Sequence, residues 1–118
     1  MRILLADDEP KVRFALRALL QRQPGLTVLG EAIDAQHLLA QTEGTYPDLV
    51  LLDWELPGLA SVDLLSALRG VYPDVVVIAL SGRPGARRAA LNAGADAFVS
   101  KGDPPERLLA AIDSFGPR

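Results

Sequence analysis

The sequence predicts an α/β fold in which five parallel strands form a doubly wound sheet with helices on both faces. Short apolar runs of strand length alternate five times with segments whose apolar residues recur at helical spacing. Turn residues separate these segments, and no linker or low-complexity stretch interrupts them. This alternation makes the strands parallel, because each helical crossover returns the chain to the same edge of the sheet.

The composition limits the classes of function. The chain has 118 residues, of which 49% are hydrophobic, so we expect one domain spanning residues 1–118 with a real core. The net charge of −3 argues against direct nucleic-acid binding, and the lack of cysteine excludes disulfides and thiolate zinc sites. No apolar run approaches the ~20 residues of a membrane span, and no signal-peptide pattern is present. A soluble cytoplasmic domain is therefore expected.

The first half of the chain contains three predicted strands and two predicted helices. The strands are apolar runs at residues 2–6, 26–30 and 49–53. The first helix opens at Pro10, because proline is favoured in a first turn, and it stops at Pro24-Gly25. The second helix has Asp34 as its N-cap, covers residues 35–42 and ends at Gly44.

The second half of the chain continues the alternation. Its elements are a helix from Ala60 or Ser61 to about Gly70, a strand at 75–80, a helix at 86–93, a strand at 97–99, and a helix opening with Pro104-Pro105 and closing at Gly116-Pro117. The fourth helix presents a face of small residues that can pack closely on the sheet, formed by Ala86, Ala89, Ala90 and Ala93. Asp103 can cap the fifth helix.

Polar residues follow four of the predicted strands. Asp7 and Asp8 come after the first strand, Asp53 ends the third, Ser81 follows the fourth, and Lys101 comes just beyond the fifth. The carboxyl ends of parallel strands share one edge, where open α/β sheets bind their ligands, so we expect these five groups to converge. Three clustered carboxylates repel one another unless a cation lies between them.

The chemistry of these groups favours phosphoryl transfer assisted by Mg²⁺. Oxygen ligands without histidine or cysteine favour Mg²⁺, which keeps coordination sites open for waters and a phosphoryl oxygen. Lys101 adds a positive charge and Ser81 adds a hydroxyl donor. Together they suit a phosphoryl group attached to Asp53, whose carboxylate would be the nucleophile while Mg²⁺ and Lys101 neutralise the transferring group.

This pattern resembles the receiver domain of two-component response regulators over essentially the whole chain. The resemblance is carried by motifs in the expected order, which are Asp7-Asp8, Asp53 followed by Leu56-Pro57-Gly58, Ser81 and Lys101. Residues 93–98 and 103–112 look most like the subfamily that carries LuxR-type helix-turn-helix output domains. The family implies a flavodoxin-like (βα)5 fold with strand order 2-1-3-4-5.

The resemblance also implies roles for the site residues. Asp53 would be the phosphoacceptor and would take its phosphoryl group from a histidine kinase. Asp8 and Asp53 would bind Mg²⁺ directly and Asp7 through water, with the backbone carbonyl of Glu55 as a further ligand. Lys101 would contact a phosphoryl oxygen. The chain would not be an enzyme in the usual sense, because it would catalyse only its own phosphorylation and dephosphorylation.

A conformational switch is the second implication of the resemblance. Ser81 would move toward the phosphoryl group and Phe98 would turn inward into the vacated space, which rearranges the face of the fourth helix, fifth strand and fifth helix. That face would act on a partner in transcription regulation. The chain ends at Gly116-Pro117-Arg118, where a linker would begin, so we expect a DNA-binding output domain beyond it. Homodimerisation stays open.

Other interpretations also stay open at this point. Each residue has an ordinary role available: Asp7 and Asp8 at a solvated helix N-terminus, Asp53 as a turn cap, Ser81 in a loop, Lys101 on the surface, Phe98 in the core. The segment after Ser81 is shorter than the family pattern, which predicts a short or displaced fourth helix and allows a phosphate-independent interaction module. Asp53-Trp54-Glu55 loosely matches the Asp-x-Asp of haloacid-dehalogenase-like phosphotransferases. The Glu55 side chain is expected to be solvated, and a role in tuning dephosphorylation stays open for it.

Overall fold

The computed structural model describes residues 1–116, in which five strands alternate with five helices. The elements are β1 (Arg2–Ala6), α1 (Pro10–Gln21), β2 (Thr27–Ala32), α2 (Ala35–Thr45), β3 (Leu49–Asp53), α3 (Ser61–Val71), β4 (Val76–Ser81), α4 (Ala86–Asn92), β5 (Ala97–Ser100) and α5 (Pro105–Asp113). Within these residues, no helix combines the length and apolar character that crossing a bilayer requires.

The strands pair in parallel in the order β2-β1-β3-β4-β5, which confirms the predicted fold class and strand order. β3 is central, since it pairs with β1 on one side and β4 on the other. Its register places Asp53 opposite Leu80, while the next pair of strands places Ser81 opposite Ser100. The residues that follow β1, β3, β4 and β5 therefore start from one edge of the sheet.

Alternate residues of β3 serve two separate hydrophobic cores. Val50 and Leu52 pack with apolar residues of α2, α3 and α4. Leu49 and Leu51 pack on the other face with apolar residues of α1 and α5. Because successive side chains of a strand point to opposite faces, a run of four apolar residues is what a sheet covered on both sides requires. This arrangement holds β3, and with it Asp53, at the centre of the molecule.

The end of α2 differs from the sequence prediction, whereas its start agrees with it. α2 does not end at Gly44 but continues to Thr45, and it is closed by Tyr46 in the left-handed region with φ 50°. The Tyr46 ring packs edge-on against Tyr72 with centroids 5.8 Å apart, a tertiary contact that stabilises the later ending. The prediction that Asp34 caps the start of α2 is confirmed, because its Oδ1 accepts a 2.8 Å hydrogen bond from the His37 N–H.

The last two helices also differ in detail from the prediction. α4 has only seven residues, which confirms that it is short, but Ala89 is exposed rather than part of its buried face. Asp103 does not cap α5: Pro104 occupies the N-cap position, and the Asp103 carboxylate accepts instead from the Ser100 N–H at 3.3 Å. The predicted closure at Gly116-Pro117 depends on Pro117, which lies outside the described residues, and α5 ends at Asp113.

Candidate functional site

Three carboxylates from two neighbouring strands meet at the carboxyl edge of the sheet. Asp7, Asp8 and Asp53 each place a carboxylate oxygen within 4.8 Å of those of the other two. Asp7 and Asp53 are buried, with 2% of each exposed, whereas Asp8 faces solvent. The predicted convergence of these acids is therefore present. Burial removes two of the charges from bulk water. Charges interact more strongly in the protein interior than in water, because the interior has a lower dielectric constant.

Lys101 projects its ammonium group into this acidic cluster. Its Nζ lies 2.7 Å from Asp7 Oδ2, 3.4 Å from Asp53 Oδ1 and 3.7 Å from Glu9 Oε1. The Lys101 N–H donates to the carbonyl of Ser81 at 3.0 Å, which anchors the loop after β5 to the end of β4. Burial on its own would lower the pKa of Lys101, but the contacts with Asp7 and Asp53 outweigh burial and raise it. The ammonium is therefore a fixed positive charge at this site.

Asp53 is held in a defined orientation by its own loop. The Glu55 N–H donates to Asp53 Oδ1 at 3.0 Å, a short-range bond that closes the turn after β3. Burial, reinforced by the negative charge of Asp7, raises the pKa of Asp53 to about 6, even though the Glu55 N–H and Lys101 both favour the ionised form. Asp53 therefore remains mostly a carboxylate, and a potential nucleophile, near neutral pH.

The donor set fits a hard divalent cation. All three side chains offer carboxylate oxygens, and one of those oxygens, Asp7 Oδ2, is buried with the Lys101 ammonium 2.7 Å away. One ammonium offsets only part of the mutual repulsion of three clustered carboxylates. An oxygen-only site with one solvent-facing ligand matches Mg²⁺, which retains several waters when it binds. The cluster can therefore hold such an ion.

Ser81 lies at the end of β4 and contacts Glu55, whose side chain is exposed as expected but is also hydrogen-bonded. The Ser81 Oγ is 2.9 and 3.0 Å from the two carboxylate oxygens of Glu55 and donates its proton to that group. The same Oγ accepts a 3.0 Å hydrogen bond from the Arg83 N–H. Sequence reasoning missed this pairing, because the contact joins the loop after β3 to the end of β4, across 26 residues of sequence.

Phe98 lies on β5, which is separated by β4 from the strand that carries Asp53. Its ring is half-buried against the core formed with α2, α3 and α4. The guanidinium of Arg87, on α4, lies 6.0 Å from the ring centroid. The Phe98 ring therefore lies on the side of β5 that faces α4. A change in its orientation would alter the contact between these two elements.

Two further residues support the acidic loop and were not singled out from the sequence. Arg13, on α1, donates to the carbonyl of Asp7 at 2.7 Å and also pairs with Glu31 at 3.0 Å. The Glu9 N–H donates to Asp7 Oδ1 at 2.9 Å. The helical spacing of α1 places Arg13 about one turn after Pro10, facing back to the end of β1. This helical spacing is the feature of the sequence from which the position of Arg13 near Asp7 could have been predicted.

Comparison with known protein families matches the Response regulator receiver domain over residues 3–113. The nitrate/nitrite response regulator protein NarL of Escherichia coli strain K12 is 36% identical over 112 residues, covering 93% of this chain and 52% of NarL. NarP of the same strain is 34% identical over 112 residues, with the same coverage. The chain thus spans about half the length of the curated relatives it matches.

Solved structures support the same assignment. A LuxR-family two-component response regulator from Aurantimonas sp. SI85-9A1 superimposes with a TM-score of 0.88 at 34% identity, over 96% of this chain and 82% of that one. The response regulator domain of Thermotoga maritima CheB gives a TM-score of 0.86 at 25% identity, over 97% and 94% of the two chains. With the carboxylates and lysine at the strand ends that this fold uses, the chain belongs to the response regulator receiver domain family.

Proposed function

We propose that this chain is a receiver domain, extending over residues 1–118, that works as a phosphorylation-controlled switch with Asp53 as the phosphoacceptor. The observation that carries the proposal is the Lys101 ammonium lying between two buried carboxylates, Asp7 at 2.7 Å and Asp53 at 3.4 Å. An ammonium in this position offsets negative charge as a phosphoryl group arrives. The family match supports this assignment.

In the proposed reaction, an Asp53 carboxylate oxygen attacks the phosphorus of a phosphohistidine on a histidine kinase. An O–P bond to Asp53 forms, the N–P bond breaks, and the electron pair of that bond stays on the imidazole nitrogen. Lys101 and the Glu55 N–H, both directed at Asp53 Oδ1, orient the carboxylate before attack. Hydrolysis of the acyl phosphate would later restore Asp53, so the chain would act on itself rather than turn over a substrate.

Mg²⁺ is the proposed cofactor, held by Asp8 and Asp53 directly, by Asp7 through water, and by the Glu55 carbonyl. When bound, the ion would neutralise charge on the phosphoryl oxygens during transfer. Asp8 is suited to direct coordination of the ion because it is exposed and its carboxylate lies close to those of Asp7 and Asp53. Asp7 is suited to an indirect role because Lys101 already contacts its Oδ2.

The proposed output is a change in the face formed by α4, β5 and α5. Ser81 would turn toward the phosphoryl group and Phe98 would turn inward, which changes its contact with Arg87 on α4. NarL and NarP are described as response regulators and are about twice as long, and a similar solved structure is described as a LuxR-family response regulator. These similarities support the proposal that the chain belongs to a transcription regulator with a DNA-binding output domain. A cytoplasmic location follows from that role.

The test is incubation with acetyl phosphate and Mg²⁺, followed by intact-mass measurement. We expect one added phosphoryl group in the wild type, none in Asp53→Ala, and none when EDTA replaces Mg²⁺. The exposed carboxylate Glu43, on α2, offers a matched control, since Glu43→Ala should be labelled like the wild type. Absence of labelling in the wild type, or equal labelling of Asp53→Ala, would contradict the proposal.

A second function is favoured by one observation, the engagement of the Ser81 hydroxyl with Glu55. A site arranged in this way could also serve a phosphate-independent interaction module whose face never changes. Under that alternative, Asp53→Asn would bind the partner as tightly as the wild type, with or without acetyl phosphate. Under the switch proposal, phosphorylation would change partner affinity in the wild type alone.

A further inference from the structure

Glu55 connects the phosphoacceptor and the switch serine through two different parts of the same residue. Its N–H donates to Asp53 Oδ1 at 3.0 Å, and its carboxylate accepts the proton of the Ser81 hydroxyl at 2.9 and 3.0 Å. Asp53 pairs with Leu80 across β3 and β4, so Ser81 lies next to the strand end that carries Asp53. One residue therefore contacts both groups.

The Ser81 hydroxyl has no spare donor in this arrangement. A hydroxyl carries one proton, and here the proton is donated to Glu55. The oxygen also accepts from the Arg83 N–H at 3.0 Å, which fixes the side-chain rotamer. To donate to a phosphoryl oxygen on Asp53, Ser81 must first break its bond to Glu55, and hydrogen bonds to a carboxylate are among the stronger ones in proteins.

We propose that Glu55 is a positioning residue that holds Ser81 in the unphosphorylated arrangement and thereby sets how readily the switch responds to a phosphoryl group. This inference rests on the proposed function of Asp53 and adds a specific regulator to it. Under this proposal, the Ser81 hydroxyl donates its hydrogen bond to the Glu55 carboxylate before phosphorylation and to a phosphoryl oxygen after it. The stronger the first bond, the smaller the fraction of the phosphorylated protein that adopts the active arrangement.

The surroundings allow Glu55 to release Ser81 without unfolding its loop. Glu55 is exposed and lines an open cleft of about 490 Å³ between Trp54 and residues 83–86. A phosphoryl group on Asp53 would bring additional negative charge near the Glu55 carboxylate, which favours movement of that carboxylate toward the cleft. Trp54 is anchored beside this cleft, because it is buried and its backbone N–H donates to the Leu80 carbonyl at 2.8 Å.

The experiment measures affinity for beryllofluoride in saturating Mg²⁺, a mimic of the phosphoryl group, through the fluorescence of Trp54, the single tryptophan. Four proteins form a double-mutant cycle: wild type, Glu55→Ala, Ser81→Ala and the double variant. We expect Glu55→Ala to bind about tenfold more tightly than the wild type, because the competing acceptor is lost. In the Ser81→Ala background the same substitution should change affinity much less, because no hydroxyl remains to be held.

Three comparisons make the outcome decisive. An equal gain in the wild-type and Ser81→Ala backgrounds would mean that Glu55 acts only through its charge. No gain from Glu55→Ala when Ser81 is present would mean that Glu55 does not hold the hydroxyl. Either result overturns the proposal. Glu55→Gln keeps an acceptor without the charge and should lie between Glu55→Ala and the wild type, which also covers the case in which the alanine variant folds poorly. Glu43→Ala should match the wild type within about twofold, because exposed charges are screened over distance.

The outcomes also separate this inference from the function on which it rests. If the wild type does not bind beryllofluoride, the proposed function fails and the role of Glu55 fails with it. If the wild type binds and the cycle shows no coupling between Glu55 and Ser81, only the role of Glu55 fails. A second measurement is the lifetime of the acyl phosphate on Asp53 after labelling with acetyl phosphate. This lifetime should be longer in Glu55→Ala, because Ser81 is then free to donate to the phosphoryl group.

Discussion

Asp53 illustrates how burial and charge oppose each other at the level of one residue. A buried carboxylate surrounded by acids is costly to ionise, whereas the proposed role of Asp53 as a nucleophile requires the ionised form. The Glu55 N–H and Lys101 offset part of that cost, and the pKa is nevertheless raised to about 6. The ionised Asp53 therefore destabilises the folded protein above this pH. A positive charge that binds at the site would relieve this destabilisation.

This balance predicts the pH dependence of an Asp53→Asn variant in EDTA. A carboxyl group whose folded pKa exceeds its ordinary value of 3.8 destabilises the fold once it ionises, so the cost is full above pH 6 and absent below pH 4. The difference corresponds to at most about 3 kcal/mol. We expect Asp53→Asn to raise the free energy of unfolding by about 2–3 kcal/mol at pH 8 and by about half as much at pH 5, measured by urea denaturation.

The control for this prediction is Glu43→Gln, which removes one negative charge from an exposed position on α2. It should change the free energy of unfolding by less than about 0.5 kcal/mol at either pH. A gain for Asp53→Asn that is equal at pH 5 and pH 8 would show that the stabilisation comes from packing or hydrogen bonding rather than from removal of a buried charge.

The residue scale is also where sequence reasoning was least complete. Asp7, Asp8, Asp53, Ser81 and Lys101 could be grouped from the sequence, because each follows a strand and the ends of parallel strands share an edge. The Ser81–Glu55 bond could not, because it depends on the conformation of the loop after β3 rather than on any periodic pattern. Side-chain contacts between a loop and a strand end are set by tertiary packing, for which the sequence carries no simple repeat.

At the scale of the elements, the junction between the β3–α3 loop and α2 depends on one glycine. Gly58 has φ +111°, in a region that L side chains rarely adopt, and a Cβ there would lie 3.1 Å from both the Cβ and the backbone nitrogen of Ala35. The Ala35 N–H also donates to the Pro57 carbonyl at 2.9 Å, so the first turn of α2 packs directly on this loop. The Leu56-Pro57-Gly58 motif thus joins two elements next to the acidic cluster.

We therefore expect Gly58→Ala to lower the free energy of unfolding by about 1–3 kcal/mol, because it combines backbone strain with a close contact that backbone atoms cannot relieve. Chemical denaturation of the purified variant measures this loss. The matched control is Gly70→Ala on α3, where a Cβ would meet nothing within 4 Å. That change should stabilise by about 0.5–1 kcal/mol, since alanine favours helix. Equal effects at the two positions would contradict the argument.

Helix ends show the limits of prediction at this scale. The alternation of apolar runs and helical segments identified all ten elements in order, because periodicity and length are local properties. The caps were less predictable: Asp34 caps α2 as expected, but Asp103 contacts Ser100 and leaves the start of α5 to Pro104. A capping residue competes with neighbouring backbone groups for the same hydrogen bond, and the outcome is decided by loop geometry.

At the scale of the whole molecule, the acidic cluster exists only in the folded chain. Asp7 and Asp8 follow β1, while Asp53 ends β3, and the two strands are brought together by the parallel sheet. An unfolded chain leaves these carboxylates far apart and cannot offer the same site. A divalent cation that binds the cluster must therefore favour the folded state and offset the mutual repulsion of the three acids.

Mg²⁺ should accordingly raise the melting temperature of the wild type. A ligand at one hundred times its Kd stabilises the folded state by about 2.7 kcal/mol, which corresponds to a shift on the order of 10 °C for a chain of this size. Differential scanning calorimetry with and without MgCl2, at matched ionic strength in NaCl, measures the shift. Asp8→Asn should lose it while melting near the wild type in EDTA, because Asp8 is exposed and contributes little to packing. Two outcomes would mean that the cation acts by general screening and that the three carboxylates do not form a site. In the first, MgCl2 shifts the melting temperature of Asp8→Asn as much as that of the wild type. In the second, NaCl at the same ionic strength raises the melting temperature of the wild type as much as MgCl2 does.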